Sequence, residues 1–529
     1  MINTSHKILG ITLGLVAGAA LAANAEAQTP KKGGTAVLAL TQDPGNLIAN
    51  VSNNLPDRMV GCITHQGLTY TALDLSIKPQ LAKSWTVSPD GLTYTFELTK
   101  AEWHDGKPLT SEDVKYTVQE ISSKYSATFG AAARSIDSIE TPAPDKVVFK
   151  LKQPFGPFLM SMSCIGGSSV QPAHVYQGSD PRQNPATTTK SIGTGAFIMS
   201  DWKRGDHLRF VKNTKYWEPG KPYLDEVIGK VLTNSATRLQ ALQAGEVDIV
   251  EFFPGGSKAA VLANAKLKIE QSDQAPESSM AFINVTNKPF DDKRVRQALM
   301  FATDRDYLMK NAFFEIGAVG VAPFTTEIKW AANPDIDYRK MYPHDVAKAN
   351  ALLDEAGLKR GADGKRFPLR IMIFANQYPE FQVVAQAMKS MWSQVGIDVA
   401  VEALEDQTYI KKVFVDRDFD VTLQLYTSYA DPVLGIARTF TTGMIAKPYG
   451  NPSGYSNPEV DALFEKGEKG VGEQARGVFY KQVQTILAQD LPVLQLRQYT
   501  EIDGATKRLQ GLWGKSIGTG HWSDAWVND

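Results

Sequence analysis

The stretch "FDVTLQLYTSYADP", residues 419–432, ends in a cluster of hydroxyl groups and aromatic rings. Its first half alternates apolar and polar residues with a period of two, which is the pattern of a half-buried strand. Tyr426, Thr427, Ser428 and Tyr429 follow directly. Aromatic rings supply apolar contact area, and hydroxyl groups orient a bound molecule. These residue types therefore favour reversible recognition of a small ligand.

Catalytic and metal-binding patterns are missing from the sequence. The seven histidines include no pair at metal-ligand spacing and no H-E-x-x-H motif. No G-x-S-x-G elbow and no Walker A loop occurs, and "GTGAF" at Gly193 lacks the third glycine of a dinucleotide fingerprint. We therefore expect a protein that is not an enzyme and has no catalytic residue, metal or cofactor. The alternative is a secreted hydrolase of peptides or glycosides, but no catalytic pair can be located for it.

The elements that position the hydroxyl cluster are predicted from residues 369–428. "LRIMIF", "IDVAVEAL" and "FDVTLQLY" read as strands, and the segments between them read as helices. A β-α-β-α-β unit implies a parallel sheet with right-handed crossovers, and ligands lie beyond the carboxyl ends of such strands. The candidate ligand-binding residues at these ends are Asn376, Glu405, Tyr426, Thr427 and Ser428, with Asp431 and Arg438 as further candidates.

Two other stretches show the same mixture of strands and helices. Residues 84–98 predict a hairpin around the turn Ser88-Pro89-Asp90-Gly91, followed by a helix capped at Thr110. Residues 226–251 read as strand, helix and strand. Because helices and strands alternate throughout, we expect α/β lobes.

Length and charge limit the function classes. A chain of 529 residues is too long for one core and indicates two or three lobes. Its 43% hydrophobic content is ordinary for a globular protein. The formal net charge of −1 gives no electrostatic signal for nucleic acid or an anionic membrane, so we expect no nucleic-acid partner.

The amino terminus has the layout of a secretory signal peptide. Lys7 precedes the apolar run "ILGITLGLVAGAALAA", and small-x-small sites end at Ala25 or Ala27. The apolar run is shorter than a membrane-spanning helix, although a retained anchor is the alternative. No cysteine lies near the cleavage site for lipid attachment. We expect cleavage after residue 27 and a free periplasmic protein.

The sequence does not show whether its two cysteines, Cys62 and Cys164, form a disulfide or remain free thiols. An exported protein can form a disulfide, but two buried thiols fit the sequence equally well because sequence does not measure their separation.

Several stretches resemble the extracytoplasmic solute-binding proteins of family 5, which serve ABC importers of peptides, nickel and related solutes. The most specific stretch is "PQLAKSWTVSPDGLTYTFELTKAEWHDGKPLTSEDV", and the others are "IGTGAFIMSDWKRGDHLRFVKNTKYW", "INVTNKPFDDKRVRQALMFATDR" and "GYSNPEVDALF". The resemblance as a whole extends over essentially all of the chain after residue 27, and these stretches are its most specific parts.

The resemblance implies a periplasmic-binding-protein-like α/β fold of two hinged lobes, with an extra domain inserted in the N-terminal lobe. Lobe I is expected at 28–67, 190–286 and 502–529, the inserted domain at 68–189 and lobe II at 287–501. On the lobe I side we select as ligand contacts the strand end at Gln42 and Asp43, then His65 and Gln66, with Trp522 as an aromatic wall.

The resemblance also implies a substrate-binding component of an ABC importer, which captures a small polar solute or short peptide between closing lobes. Its partners would be membrane permease and ATPase subunits, and we expect a monomer. A periplasmic chaperone or a chemoreceptor-linked binding protein on the same scaffold is the further alternative.

One position departs from the family pattern. In peptide-binding members a carboxylate three residues before an acidic-Pro pair grips the ligand's α-ammonium group. Here the pair is Asp431-Pro432, and the earlier position is Ser428. A charge-assisted hydrogen bond is worth roughly 1.5–3 kcal/mol. Opines, sugar-acid conjugates, modified peptides and other polar metabolites therefore become candidates comparable to ordinary peptides with a free amino terminus. Asp431 and Glu405 are the carboxylates that could compensate.

Overall fold

The computed structural model describes residues 29–52, 54–126, 128–251, 255–271, 276–375, 378–499, 502–513 and 521–528. The predicted signal peptide and the candidate Asn376 lie outside these residues. Within them no helix is both long and apolar enough to cross a membrane.

The strands of the described residues are, in chain order, β1 (Thr35–Leu40), β2 (Thr69–Thr71), β3 (Ile77–Pro79), β4 (Ala82–Val87), β5 (Thr93–Leu98), β6 (Ile136–Ala143), β7 (Lys146–Leu151), β8 (Phe197–Lys203), β9 (His207–Lys212), β10 (Glu226–Val231), β11 (Ile249–Val250), β12 (Leu267–Gln271), β13 (Glu277–Ile283), β14 (Ala318–Val319), β15 (Phe367–Phe374), β16 (Ile397–Leu404), β17 (Val421–Thr427), β18 (Val493–Tyr499), β19 (Ile502–Thr506), β20 (Leu509–Gln510) and β21 (Trp526–Val527).

The α-helices of the described residues are α1 (Leu55–Thr64), α2 (Ser111–Tyr116), α3 (Ser123–Tyr125), α4 (Gly130–Ser135), α5 (Phe158–Ser161), α6 (Ala173–Tyr176), α7 (Pro185–Thr188), α8 (Ser235–Ala244), α9 (Lys258–Leu262), α10 (Lys293–Phe301), α11 (Arg305–Asn311), α12 (Tyr338–Met341), α13 (Val346–Glu355), α14 (Pro379–Gln394), α15 (Asp406–Ile410), α16 (Pro432–Gly435), α17 (Pro458–Lys469) and α18 (Glu473–Asp490). One π-helical segment, Thr117–Ser122, continues α2, and another, Lys411–Asp416, continues α15.

Three larger sheets organise the chain, which confirms the predicted α/β fold. A seven-stranded sheet has the order β12-β19-β11-β1-β10-β9-β8, and a six-stranded sheet has the order β14-β18-β13-β17-β15-β16. A four-stranded sheet, β4-β5-β7-β6, comes between β1 and β8 in the chain and has its own core around Phe96, Trp103 and Phe149. The domain boundaries given above stay predictions.

The six-stranded sheet contains the predicted β-α-β-α-β unit. β15 pairs in parallel with both β16 and β17, so their carboxyl ends lie at one edge. Its two faces are covered by separate apolar clusters, one around Ile371 and Trp392 and one around Phe282 and Tyr426. The apolar alternation that identified these strands thus reflects burial on both sides.

The chain crosses between the two largest sheets at adjacent strands. β12 pairs with β19 in the seven-stranded sheet, and β13 pairs with β18 in the six-stranded sheet. Residues 272–275 join β12 to β13, and residues 500–501 join β18 to β19. Both connections lie outside the described residues. The two strands that precede or follow them in the seven-stranded sheet, β12 and β19, pair with each other, and so do β13 and β18 in the six-stranded sheet.

A disulfide between Cys62 and Cys164 answers the question that the sequence left open. Its Cα atoms are 6.0 Å apart across a sequence separation of 102 residues. Cys62 lies on α1, which packs on the seven-stranded sheet, and Cys164 follows α5, which packs on the four-stranded sheet. The bond therefore joins two separate cores.

Candidate functional site

A cavity of about 670 Å³ lies where β17 runs out of the six-stranded sheet. Three parts of the chain line it: α1, the segments around α4 and α5, and the segment after β17. The lining residues are Arg58, Thr128, Gly130, Ala131, Arg134, Met160, Ser161, Ile165, Gly166, Tyr429, Val433, Leu434, Arg438, Met444 and Tyr449. We call it the three-arginine cavity, and its volume is typical of a small-molecule site.

The three arginines come from the three different parts of the chain. The Arg58 guanidinium donates a hydrogen bond of 3.1 Å to the Ile165 carbonyl oxygen. Arg438 donates to the Gly435 carbonyl oxygen at 3.3 Å, and its guanidinium lies 5.0 Å from the centre of the Tyr426 ring. Arg134 projects from α4 and is exposed. All three therefore present cationic groups to the cavity.

No carboxylate neutralises these guanidinium groups directly. The lining residues include no Asp or Glu, and among the described residues no carboxylate oxygen lies within 4.0 Å of any of the three. Glu468 is the carboxylate that Arg134 influences from farther away: burial raises the pKa of Glu468, and Arg134 opposes that shift. A cavity lined by three guanidinium groups and by no carboxylate attracts anions, and arginine binds carboxylates through paired hydrogen bonds.

The residues after β17 form one wall of the cavity. Tyr426 is buried, and its hydroxyl donates to the Gly450 carbonyl oxygen at 3.0 Å. Burial raises the pKa of Tyr426. Tyr429 lines the cavity with a left-handed backbone, φ 50°, which is uncommon for a tyrosine. β17 thus ends at a wall of the cavity. The tyrosine that lines this wall is Tyr429, whereas Tyr426 lies within β17 and outside the lining.

Ser428 is buried beside the start of β13. Its backbone N–H donates to the Pro276 carbonyl oxygen at 2.7 Å, and only 1% of the residue is exposed. The adjacent Thr427 hydroxyl donates to a Glu277 carboxylate oxygen at 2.9 Å. Neither residue is part of the cavity lining.

Asp431 is committed to another side chain. It forms a bidentate ion pair with Arg476, with N–O distances of 2.5 and 2.7 Å, and both side chains are buried. Burial disfavours the charged form of Arg476, but the Asp431 carboxylate outweighs burial and raises its pKa. Asp431 would have to leave this pair to contact a ligand, so it does not replace the carboxylate missing at Ser428.

Glu405 is exposed and lies between β16 and α15, away from the cavity lining. Of the candidates selected near the strand ends, Arg438 is the one that the cavity lining contains.

The residues selected on the lobe I side have structural partners or are exposed. Gln42 is exposed, and Asp43 accepts a hydrogen bond of 3.0 Å from the Trp202 indole N–H. The Gln66 amide donates to the Tyr216 hydroxyl and accepts from the Trp217 indole N–H, both at 2.9 Å. Trp522 packs in the core of the seven-stranded sheet.

His65 is also buried, beside the carboxyl end of α1. Its Nδ1 lies 2.9 Å from the Thr64 hydroxyl, and burial lowers the pKa of His65 to about 3. The neutral ring is therefore the native form at neutral pH. None of these five candidates is part of the three-arginine cavity.

A second polar group lies at the same edge of the six-stranded sheet and was not selected from the sequence. Arg497 is 4% exposed, lies between the rings of Phe313 and Tyr499 at 4.1 and 3.6 Å, and donates to the Ser279 hydroxyl at 3.2 Å. Burial raises the pKa of the neighbouring Glu277. Arg497 and Glu277 therefore place a buried cation and a buried carboxyl group at the end of the sheet where β17 leaves it.

Arg58 and Arg134 were missed because no local pattern marks them. Each is the one arginine of its helix, and no motif surrounds it. The cavity forms only when segments far apart in sequence meet. Within the described residues no group of His, Cys, Asp and Glu has the arrangement of a metal site.

Comparison with known proteins gives consistent matches along the chain. A model of the family described as "Bacterial extracellular solute-binding proteins, family 5 Middle" matches residues 76–445. The glutathione-binding protein GsiB of Escherichia coli O157:H7 is 26% identical over 519 residues, covering 96% of this chain and 95% of GsiB.

Two solved structures resemble the fold. The oligopeptide-binding protein AppA of Bacillus subtilis, in complex with a nonapeptide, is 25% identical with a TM-score of 0.76 over 95% of this chain and all of AppA (100%). AgaA of A. tumefaciens R10, in complex with agropinic acid, is 25% identical with a TM-score of 0.73 over 94% of this chain and 99% of AgaA.

Proposed function

The chain belongs to the bacterial extracellular solute-binding proteins of family 5, which are the binding components of ABC importers, and we propose that its solute is a small molecule with two or more carboxylates. Glutathione and acidic opines represent this class. The solute binds in the three-arginine cavity and is released to a membrane permease driven by ATPase subunits. The single observation that carries the proposal is the convergence of Arg58, Arg134 and Arg438 without a neutralising carboxylate.

The geometry suits a ligand that bridges the parts of the chain. Arg58 and Arg134 lie on the side of α1 and the four-stranded sheet, and Arg438 lies on the side of the six-stranded sheet. A solute with separated carboxylates therefore gains contacts on both sides only when the two sides are close. That differential affinity favours the closed form.

The energetic scale is sufficient for closure. Each charge-assisted hydrogen bond contributes about 1.5–3 kcal/mol. Shifting a two-state equilibrium from mostly open to mostly closed takes about 5.5 kcal/mol of differential affinity. A solute held first by Arg438 gains the contacts to Arg58 and Arg134 only on closure, which together contribute about 3–6 kcal/mol.

The name of one relative agrees with this solute class. GsiB is named as a glutathione-binding protein, and glutathione carries two carboxylates. AgaA was solved with agropinic acid, a lactam with a single carboxylate, which lies outside this class. Ordinary peptides are the second candidate because AppA was solved with a nonapeptide. Peptides without acidic side chains carry one carboxylate, so they engage fewer of the three guanidinium groups than a dicarboxylate does. No catalytic reaction is part of the proposal.

Export belongs to the same proposal. Family members act outside the cytoplasm, and we assign residues 1–27 as the cleaved signal peptide that delivers the chain there. The protein then acts as a monomer, with the permease as its docking partner.

A charge-matched ligand panel tests the proposed function. Glutathione, glutathione diethyl ester and triglycine are each added during thermal unfolding. A ligand at 100 times its dissociation constant adds about 2.7 kcal/mol to stability. We expect glutathione to raise the melting temperature, and the ester and triglycine to leave it unchanged. An equal or larger shift with triglycine or the ester would overturn the assignment of a carboxylate-rich solute.

A further inference from the structure

We infer that the Cys62–Cys164 disulfide is a positioning element, which holds Arg58 ready for a carboxylate of the solute. The inference rests on the proposed function, because Arg58 matters only if the cavity binds an anion. It assigns the disulfide a role in affinity that is separate from its role in stability.

The disulfide and the Arg58 hydrogen bond link the same two segments, α1 and residues 164–165. Arg58 and Cys62 lie one helical turn apart on α1, so their side chains leave the same face. Cys164 precedes Ile165, whose carbonyl oxygen accepts the 3.1 Å hydrogen bond from Arg58. The covalent bond and the hydrogen bond thus connect the same helix to the same loop, side by side.

The two connected segments are otherwise anchored to different parts of the molecule. Asp57 on α1 accepts a hydrogen bond of 2.7 Å from the Gly45 N–H, and Met59 and Val60 pack in the core of the seven-stranded sheet. Phe158 and Met162 pack in the core of the four-stranded sheet. Relative movement of these cores would pull the Ile165 carbonyl away from Arg58, and the disulfide limits that movement.

Other contacts keep the fold together without the disulfide. The backbone N–H of Leu68 donates to the Met162 carbonyl at 2.8 Å, and that of Val170 donates to the Gln66 carbonyl at 2.8 Å. The segment after α1 therefore stays attached to both sides of the loop that carries Cys164. Loss of the disulfide is expected to loosen residues 163–166 while the surrounding structure persists.

A guanidinium group that is already held in place loses less conformational freedom when it binds a ligand. Arg58 has that restraint from the Ile165 carbonyl, and its remaining N–H groups are available to an anion. In contrast, Arg134 is exposed on α4, which carries neither cysteine of the disulfide nor the carbonyl oxygen that Arg58 contacts. The disulfide should therefore act through Arg58 and not through Arg134.

The experiment measures dissociation constants by calorimetry with S-methylglutathione, a glutathione derivative that has no free thiol to reduce the bond. The variants are C62A/C164A, R58Q and R134Q, together with C62A/C164A in each arginine background. We expect R58Q and R134Q each to weaken binding about tenfold, which is the value of one charge-assisted hydrogen bond. C62A/C164A alone should weaken it about threefold or more, because the Arg58 restraint is lost.

The backgrounds distinguish positioning from general stability. Removal of the disulfide should change affinity less than twofold in the R58Q background. In the R134Q background it should weaken binding by the same factor as in the otherwise unmodified protein. An equal cost in both backgrounds, or wild-type affinity for C62A/C164A, would overturn the inference while the proposed function survives. Wild-type affinity for R58Q and R134Q, or no binding by the unmodified protein, would instead remove the proposed function and the inference with it.

R58K in the disulfide-bonded protein keeps the inference testable if C62A/C164A does not fold. Lysine retains the charge but lacks the planar fork that binds a carbonyl and a carboxylate together. We expect R58K to bind S-methylglutathione more weakly than the wild type and more tightly than R58Q. Wild-type affinity for R58K would show that the held guanidinium geometry is irrelevant.

Discussion

Asp431 and Arg438 follow the same strand, but their side chains have different surroundings. Arg438 faces the three-arginine cavity, whereas Asp431 is buried against Arg476. Arg476 also donates to the Gly467 carbonyl at 2.6 Å and to the Tyr480 hydroxyl at 3.0 Å. The role of Asp431 in the present account is therefore to neutralise a buried cation.

Replacement of Asp431 by Asn tests that role. The change leaves the Arg476 guanidinium buried without its counter-ion, which costs about 3–5 kcal/mol in comparable pairs. We expect the urea midpoint of unfolding to fall accordingly. The double variant Asp431→Leu with Arg476→Met should lose less stability because no charge is left behind. Unchanged stability of D431N combined with a large loss of glutathione affinity would instead make Asp431 a ligand contact.

At the scale of elements, the sequence was most informative where burial imposes a strict pattern. The strands β15, β16 and β17 were predicted within two residues of their observed ends, because each alternates or concentrates apolar residues between clear breaks. Helix α2 was predicted with its cap, and the Thr110 backbone N–H and the Asp113 side chain complete that cap at 2.9 Å. Local physics decides these features.

The glycines of "GTGAF" are required by a packing contact that the sequence alone does not show. A Cβ atom on Gly193 would clash with the Thr64 carbonyl oxygen at the end of α1, and Gly195 donates its N–H to that same oxygen at 2.9 Å. The pair permits close approach of two backbones. The three-arginine cavity is harder still to predict, because its arginines meet only through such long-range packing.

The same region predicts a pH dependence of stability. Burial lowers the pKa of His65 to about 3, with repulsion from His104 adding to it, and burial lowers the pKa of His104 to about 4. Both values lie below the unfolded value of 6.5. The unfolded chain therefore binds protons first as the pH falls below 6.5, so the stabilising effect of neutral histidines is complete above that pH and is lost progressively below it.

Urea unfolding between pH 7 and pH 5 measures this effect. Each proton contributes a slope of at most about 1.4 kcal/mol per pH unit. We expect the free energy of unfolding of the wild type to fall with pH, and the slope to be smaller in His104→Gln, whose side-chain oxygen can still accept the Gly193 N–H. Equal slopes in the two proteins would show that His104 does not remain neutral in the folded state.

At the scale of the whole molecule, the chain passes between the seven-stranded and the six-stranded sheet once in each direction, from β12 to β13 and from β18 to β19. The strands that begin and end these passages pair with each other, β12 with β19 and β13 with β18, as expected on either side of a hinge. The contacts on the far side are modest: the Gly156 N–H donates to the Glu468 carbonyl at 3.0 Å, and Met160 packs against Ala430. A solute in the three-arginine cavity would add contacts on that same side.

The most direct test of the proposed site is a crystal structure of the protein grown with glutathione. We expect the two glutathione carboxylates within hydrogen-bond distance of Arg438 and of at least one of Arg58 and Arg134. Glutathione bound elsewhere, with all three guanidinium groups still free of it, would rule out the three-arginine cavity as the binding site.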